Sequence, residues 1–393
     1  MAMRAASSTF AAGAPIGLFN FNPANYKNFR KALGNLQSGQ SSTALRVLCV
    51  GDSTTLGSNG ITATNAVQNS WVRRLADVLT KQGIQAGWQN NFGDHTAASS
   101  GSTIQIIDPR VTAIPTGWST DDSGALTLTP GPGGWNFYNQ TTTNPFTFTP
   151  TVQTDTCDVY YFDGSGYDPF LVKSGAAGVT TCSTGGTATI GATNAVRKLT
   201  STFTLGSNVW TIQRAGTGTT LFLLGINCYN STLPELSFIN LGNGGKTTSF
   251  YTVTTNPWDT LSQMTTGAIA GAPLAIINLG INDWLGVTSI PSFTTSLTTI
   301  VTGLQSAGTD VLLMIPVPSA AGSASLSSQA AFVAAMYSVA TTYGLAVIDL
   351  TQRWVSQAVS NTLGLYGDTN IHPNFTFGYP DVANAVKKFF LSV

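Results

Sequence analysis

Charge is what this 393-residue chain has least of. Asp, Glu, Lys and Arg make up 9% of it, against roughly a quarter in an average soluble protein. The 17 basic residues balance the 17 acidic ones, giving a formal charge of zero. With no basic face there is no electrostatic footprint for a nucleic acid, which excludes that partner. Long hydrophobic runs are missing too. The longest are about strand length, too short to span a bilayer as a helix. Met1 to Pro15 carries Arg4 but only an Ala/Ser stretch where an apolar signal core would stand, so no signal peptide is expected.

Histidine and glutamate are scarcer still. His95 and His372 are the two histidines, and Glu235 is the one glutamate. HExxH and related spacings are absent, so a multi-histidine zinc site lacks ligands and no metal is expected. The four cysteines, Cys49, Cys157, Cys182 and Cys228, form no CxxC pair. Cys49 lies in an apolar run and reads as a buried thiol. The other three, an odd number, allow one bridge but indicate no disulfide framework.

What is present is ample core material, with 42% hydrophobic residues, and Ser, Thr, Asn, Gln and Gly in place of charge. The length suits two or three domain-sized units, or one core with a large insertion. Leu45 to Val50 is a near-continuous apolar strand. Ser70 is placed to cap a helix with Trp71, Leu75, Val78 and Leu79 on one face. From about Asp108 to Leu233, short alternating runs such as Asp158 to Phe162 and Val209 to Ile212 are separated by Gly, Pro, Asn and Thr clusters. That texture predicts an all-β sandwich or jelly roll.

After Leu236, apolar strands (Ser237 to Ile239, Leu274 to Ile277, Val311 to Ile315, Leu345 to Ile348) alternate with helical patterns near Phe293 to Leu304, near Gln329 to Thr342 and after Pro380. Alternating units of this kind build a parallel sheet covered on both sides. The expected organisation is an irregular N-terminal arm (1–43), an α/β domain in two parts (44–107 and 236–393), and a β domain inserted between them (108–235).

Functional residues of open parallel sheets collect at the carboxyl ends of strands. Four segments stand there or near the C-terminus: Gly51-Asp52-Ser53, Asn240-Leu241-Gly242-Asn243-Gly244-Gly245-Lys246-Thr247, Gly280-Ile281-Asn282-Asp283 and His372-Pro373-Asn374. Two decoys fall away. Gly245-Lys246-Thr247 ends like a phosphate-binding loop, but Asn240 stands where its first glycine belongs. No G-x-S-x-G elbow of a typical α/β-hydrolase exists.

The four segments, in this order, resemble the SGNH (GDSL-type) hydrolase family. The resemblance covers about two thirds of the chain and leaves out the β insert. It implies a flavodoxin-like three-layer parallel sheet, a serine esterase needing no cofactor, and an acyl ester as partner. By that resemblance Ser53 is the nucleophile and His372 its base. The oxyanion donors are the backbone N–H of Ser53, the backbone N–H of Gly242 and the side-chain amide of Asn282. The family's aspartate stands three residues before the histidine. Here that position is Thr369 and Asp368 is four before, so Asp368 is taken as the orienting carboxylate, with Asp349 as the alternative. Trp284 is expected to wall the pocket.

Bland readings stand beside these. His95 sits in a Gly/Asn/Asp loop and reads as solvated, and aromatics such as Trp118, Trp135, Phe137, Tyr160, Tyr161 and Trp210 of the insert are more often core than a platform for sugars. The function these residues suggest is hydrolysis of short-chain acyl esters, O-acetyl groups on a carbohydrate above all, in an extracellular or virion-associated protein. The alternatives are a glycan-binding or virion structural protein with a vestigial hydrolase core, and an O-acyltransferase. Oligomeric state is not readable.

Overall fold

The computed structural model describes residues 17–40, 44–61, 64–92, 107–113, 117–121, 131–133, 136–140, 143–191, 193–217, 220–256, 258–286, 288–320, 328–368 and 370–393. His95 and Trp135 lie outside them. The apolar runs form a parallel sheet whose five long strands are Leu45–Gly51, Leu236–Gly242, Leu274–Asn278, Asp310–Ile315 and Ala346–Asp349. Counted in chain order, they lie side by side as 2-1-3-4-5, the flavodoxin-like order. Short Ala86–Gly87 extends one edge in parallel, and Leu18–Phe19 closes the other antiparallel. Gly51 is in register with Gly242 on one side and with Asn278 on the other. Three strands therefore end together where the strand order reverses, and the functional segments leave from that point.

Alternate residues of the strands serve two cores. Val47, Cys49, Phe238, Ile276 and Met314 pack against the helices Lys27–Gln37, Trp71–Thr80 and Gly378–Phe390. Ser70 caps the second of these by accepting from the Arg73 amide at 3.3 Å. On the other face, Leu48, Val50, Ile239, Leu241, Ile277 and Leu313 meet the helices Ile290–Ser306 and Gln329–Tyr343.

The N-terminal segment departs from expectation. It is not an irregular arm along its described length, because Lys27–Gln37 is a helix burying Phe29, Leu33 and Leu36 on the central sheet. Asp310 fastens it by accepting from the Phe29 amide at 2.8 Å and from Asn28 at 3.0 Å. The spacing of those three apolar residues is helical, but three basic residues around them mask the stripe.

Between the first two parallel strands the chain builds two antiparallel sheets of six described strands each. Val159, Tyr161, Phe170, Trp210, Ile212 and Leu223 fill the space between them, which makes the insert a sandwich. Asn90–Asn91, ahead of the predicted insert start, also pairs with Leu221–Tyr229. The outer face of one sheet is dry as well. Tyr160, Phe162, Phe222 and Leu224, with Phe92, belong to the core that contains Leu48 and Ile239. The sandwich thus takes the place of a helix layer over part of the parallel sheet. Exposing those five side chains would cost on the order of 10 kcal/mol, so the insert is no detachable module. Trp118, Phe137, Tyr160, Tyr161 and Trp210 are all buried, which removes them as a platform for sugar rings.

Glu235, just before the second parallel strand, is 7% exposed. Its carboxylate lies against Gly87, where a Cβ would come within 2.6 Å of Oε1. Burial pushes its pKa up to about 7. The unfolded chain gives up this proton near pH 4.5 and the folded chain only near 7, so stability falls as pH rises through that window. Glu235→Gln should therefore raise the melting temperature at pH 8, recovering up to about 3 kcal/mol, and leave it unchanged at pH 4. A gain of equal size at both values, measured by calorimetry, would locate the effect in packing.

Candidate active site

Ser53 opens a one-turn helix, Ser53–Leu56, two residues beyond the end of its strand. Asp52 caps that helix. Its Oδ1 accepts from the amide and the hydroxyl of Thr54, both at 2.8 Å. Asn278, at the end of the neighbouring strand, donates to the Thr54 and Thr55 hydroxyls at 3.1 and 3.3 Å. These polar side chains are buried and fix the turn from below. Asp52 is fully buried, and that burial pushes its carboxyl up to about 6 despite the two Thr54 hydrogen bonds.

The opposing histidine comes from the other end of the chain. Tyr366 and Pro373 form an isolated β-bridge, and Gly367 donates to the His372 carbonyl at 2.8 Å, which closes a short loop. Inside it, Asp368 Oδ1 accepts from the amides of Asn370, Ile371 and His372 at 2.9 to 3.0 Å. The additional residue relative to the three-residue spacing is absorbed by this fold-over. Asp368 Oδ2 then meets His372 Nδ1 at 2.5 Å, and His372 Nε2 stands 2.8 Å from Ser53 Oγ.

Burial raises the Asp368 pKa, but the hydrogen bonds from the His372 ring and from the Asn370 and His372 amides outweigh it and hold the carboxyl at about 2. An ionised carboxylate only accepts. Nδ1 therefore carries the imidazole proton, and Nε2 is left to accept from the Ser53 hydroxyl. Such a chain can draw the proton from a serine as it attacks. Asp349, the alternative, is occupied elsewhere: it caps the helix Leu350–Trp354 and accepts from Tyr337.

The remaining predicted residues are placed less simply. Asn282 donates through Nδ2 to the Lys246 carbonyl at 3.1 Å, so the turn around Gly245 lies beside it. Asp283 ties the same region down by accepting from the Thr248 amide and hydroxyl at 2.9 and 2.8 Å.

Gly242 does not present its N–H to the site as expected, because that group donates to Asn240 Oδ1 at 2.9 Å. Its smallness matters instead for contact, since a Cβ there would lie 2.2 Å from the Leu56 amide nitrogen. Trp284 is not a pocket wall either. It is 4% exposed and packs in the core with Ile281, one turn before it. An apolar recess does open beside Asn282, lined by Gly280, Ile281, Ile315, Phe332, Val333 and Met336, and sequence reading had no signal for it. Its walls come from three separate elements, the helices Ile281–Leu285 and Gln329–Tyr343 and the strand Asp310–Ile315.

Residues 227–376 match the GDSL-like lipase/acylhydrolase family. Among solved structures, a peptidoglycan O-acetylesterase is similar with a TM-score of 0.68 at 13% identity, over 95% of this chain and 98% of that one. A Bacillus subtilis protein (TM-score 0.36, 18% identity, 70% and 88% covered) and an acetyl xylan esterase (0.31, 19%, 40% and 81%) are also similar. No curated protein matches the chain. The first likeness is one of fold, and it spans the antiparallel sheets as well as the parallel one.

The packing around Gly242 gives a prediction. Gly242→Ala should push the Ser53 helix away from its strand, lowering the melting temperature and the yield of soluble protein. An alanine variant with unchanged stability, followed by circular dichroism, would contradict this contact.

Proposed function

We propose that this chain, whose residues 227–376 match the GDSL-like lipase/acylhydrolase family, is a carboxylic ester hydrolase in which Ser53, His372 and Asp368 form the catalytic triad. The observation that carries this is the continuous chain from Asp368 Oδ2 through the His372 ring to Ser53 Oγ. Ser53 Oγ attacks the ester carbonyl as Nε2 takes its proton. Asp368 stabilises the imidazolium that results. The proton then passes to the leaving alcohol, an acyl-serine remains, and water repeats the sequence to release the acid. No cofactor enters any step.

The tetrahedral oxyanion needs fixed donors. We assign the Ser53 amide, which as the first of its helix has no intrahelical partner, and the second amide hydrogen of Asn282. With the Gly242 amide engaged, the third donor is the backbone N–H of Gly244 or Gly245, in the turn beside Asn282.

For the alcohol we propose a carbohydrate, acetylated in an extracellular setting. The support is the fold shared with a peptidoglycan O-acetylesterase through the sandwich. In this reading 44–107 and 236–393 form the hydrolase, and 108–235 is a rigid insert that shapes its surroundings.

Ser53→Ala and His372→Ala should each abolish hydrolysis of small aryl acetates in folded protein. The double variant should be little worse than either single one, because the pair acts as a unit. Asn282→Ala should lower kcat about 100-fold or more with a smaller change in KM. A pure KM effect would move Asn282 from transition-state stabilisation to substrate positioning.

Acetate release from a panel of O-acetylated glycans, with Ser53→Ala as control, tests the substrate. Release from at least one glycan, absent in the variant, is expected. Turnover confined to small aryl esters would overturn the carbohydrate reading.

A further inference from the structure

Two cysteines that hydrolysis does not use face each other inside the sandwich. Cys157 lies in the strand Thr154–Asp163 and Cys228 in Leu221–Tyr229, and the antiparallel register sets them directly opposite. Both side chains point into the sandwich core with Val159 and Ile226. The Cys228 N–H donates to the Gln89 carbonyl at 2.7 Å, on the far side of its strand from Cys157. In an antiparallel ladder the N–H and C=O of one residue point the same way. Cys157 and Cys228 are therefore a non-hydrogen-bonded pair, the kind in which Cα atoms approach to about 4.5 Å. That spacing lies within the range a disulfide bridges. Both cysteines are buried free thiols.

We propose that Cys157 and Cys228 are joined by a cross-strand disulfide when the chain folds in an oxidising compartment, with Cys49 and Cys182 left as thiols. The oxidant is a small disulfide such as oxidised glutathione. The Cys157 thiolate attacks one of its sulfurs and releases one thiolate. The Cys228 thiolate then attacks the Cys157 sulfur of the mixed disulfide and releases the second. Two protons leave, the two cysteines lose two electrons, and the small disulfide gains them.

Timing follows from burial. Cys157 is 0% and Cys228 1% exposed in the folded chain, and burial raises the Cys157 pKa well above that of an ordinary thiol. Thiolate is scarce there, so the bond closes while the sandwich is still open and is shielded once it has shut. Cys182 packs in the same core but stands opposite neither partner. Cys49 belongs to the helix-covered face of the parallel sheet. The bridge ties together about 70 residues of chain, which restrains the unfolded state without moving the native backbone.

The test refolds the full chain from denaturant with dithiothreitol or with a reduced/oxidised glutathione mixture, then counts thiols by alkylation under denaturing conditions. Four reactive thiols are expected with dithiothreitol and two with glutathione. Peptide mapping of the second sample should join the Cys157 and Cys228 peptides, and its melting temperature should be higher by about 5 °C or more. Cys182→Ser should keep the cross-link and Cys228→Ser should lose it. Mapping of the unmodified chain decides the matter even where a variant fails to fold. Four thiols after glutathione refolding, or a link that includes Cys182 or Cys49, would overturn the assignment.

Discussion

An ionised carboxylate in a half-buried loop is the contact on which the site depends. Asp368 accepts three backbone amides and one imidazole nitrogen. Those four bonds shape the loop and select the tautomer of His372 in one stroke. The loop is then fastened through Tyr366 to the Pro318 carbonyl, and the helix that follows it through Tyr379 to the Ser58 carbonyl. Protonating Asp368 would weaken all four acceptor contacts together. The low pKa of its carboxyl is thus also a statement about stability, present above the ordinary carboxylate range and lost as pH falls toward 2.

Ser53 is held by a different logic. Three parallel strands end at Gly51, Gly242 and Asn278, and a layer of polar side chains seals the space beneath Ser53. Asn240 spans it, accepting from the Gly242 amide and donating to the Thr55 carbonyl at 3.1 Å. Asp52 is the costly member, because burial disfavours its charge. The sandwich completes this architecture by covering sheet that a helix would otherwise cover. Fold and site are therefore one unit, although the chain between their first two strands is long.

Much of this was legible from the sequence. Nearly all-apolar runs announced a parallel sheet buried on both faces, and the segments after them named Ser53, His372, Asn282 and Asp368 as residues to watch. What escaped has physical causes. Whether a glycine amide such as that of Gly242 is free depends on a side chain two residues away, and no motif encodes that. Trp284 turned inward because Ile281 and Trp284 share a helix face, a spacing visible in the sequence but outweighed by proximity to Asn282. Within the run from Asp158 to Phe162, read as alternating, Val159 to Phe162 are four apolar or aromatic residues in succession, which signals burial on both faces. Its aromatics nonetheless invited a surface role. The helix around Phe29 was hidden by its charges.

The most direct test of the account is covalent trapping of the nucleophile. Incubating the protein with an organophosphate that carries a p-nitrophenol leaving group should give one stoichiometric phosphoryl adduct by intact mass. Peptide mapping should place it on Ser53, and His372→Ala should slow its formation by orders of magnitude. An adduct on any other serine, or none at all in protein that turns over esters, would contradict Ser53 as the nucleophile.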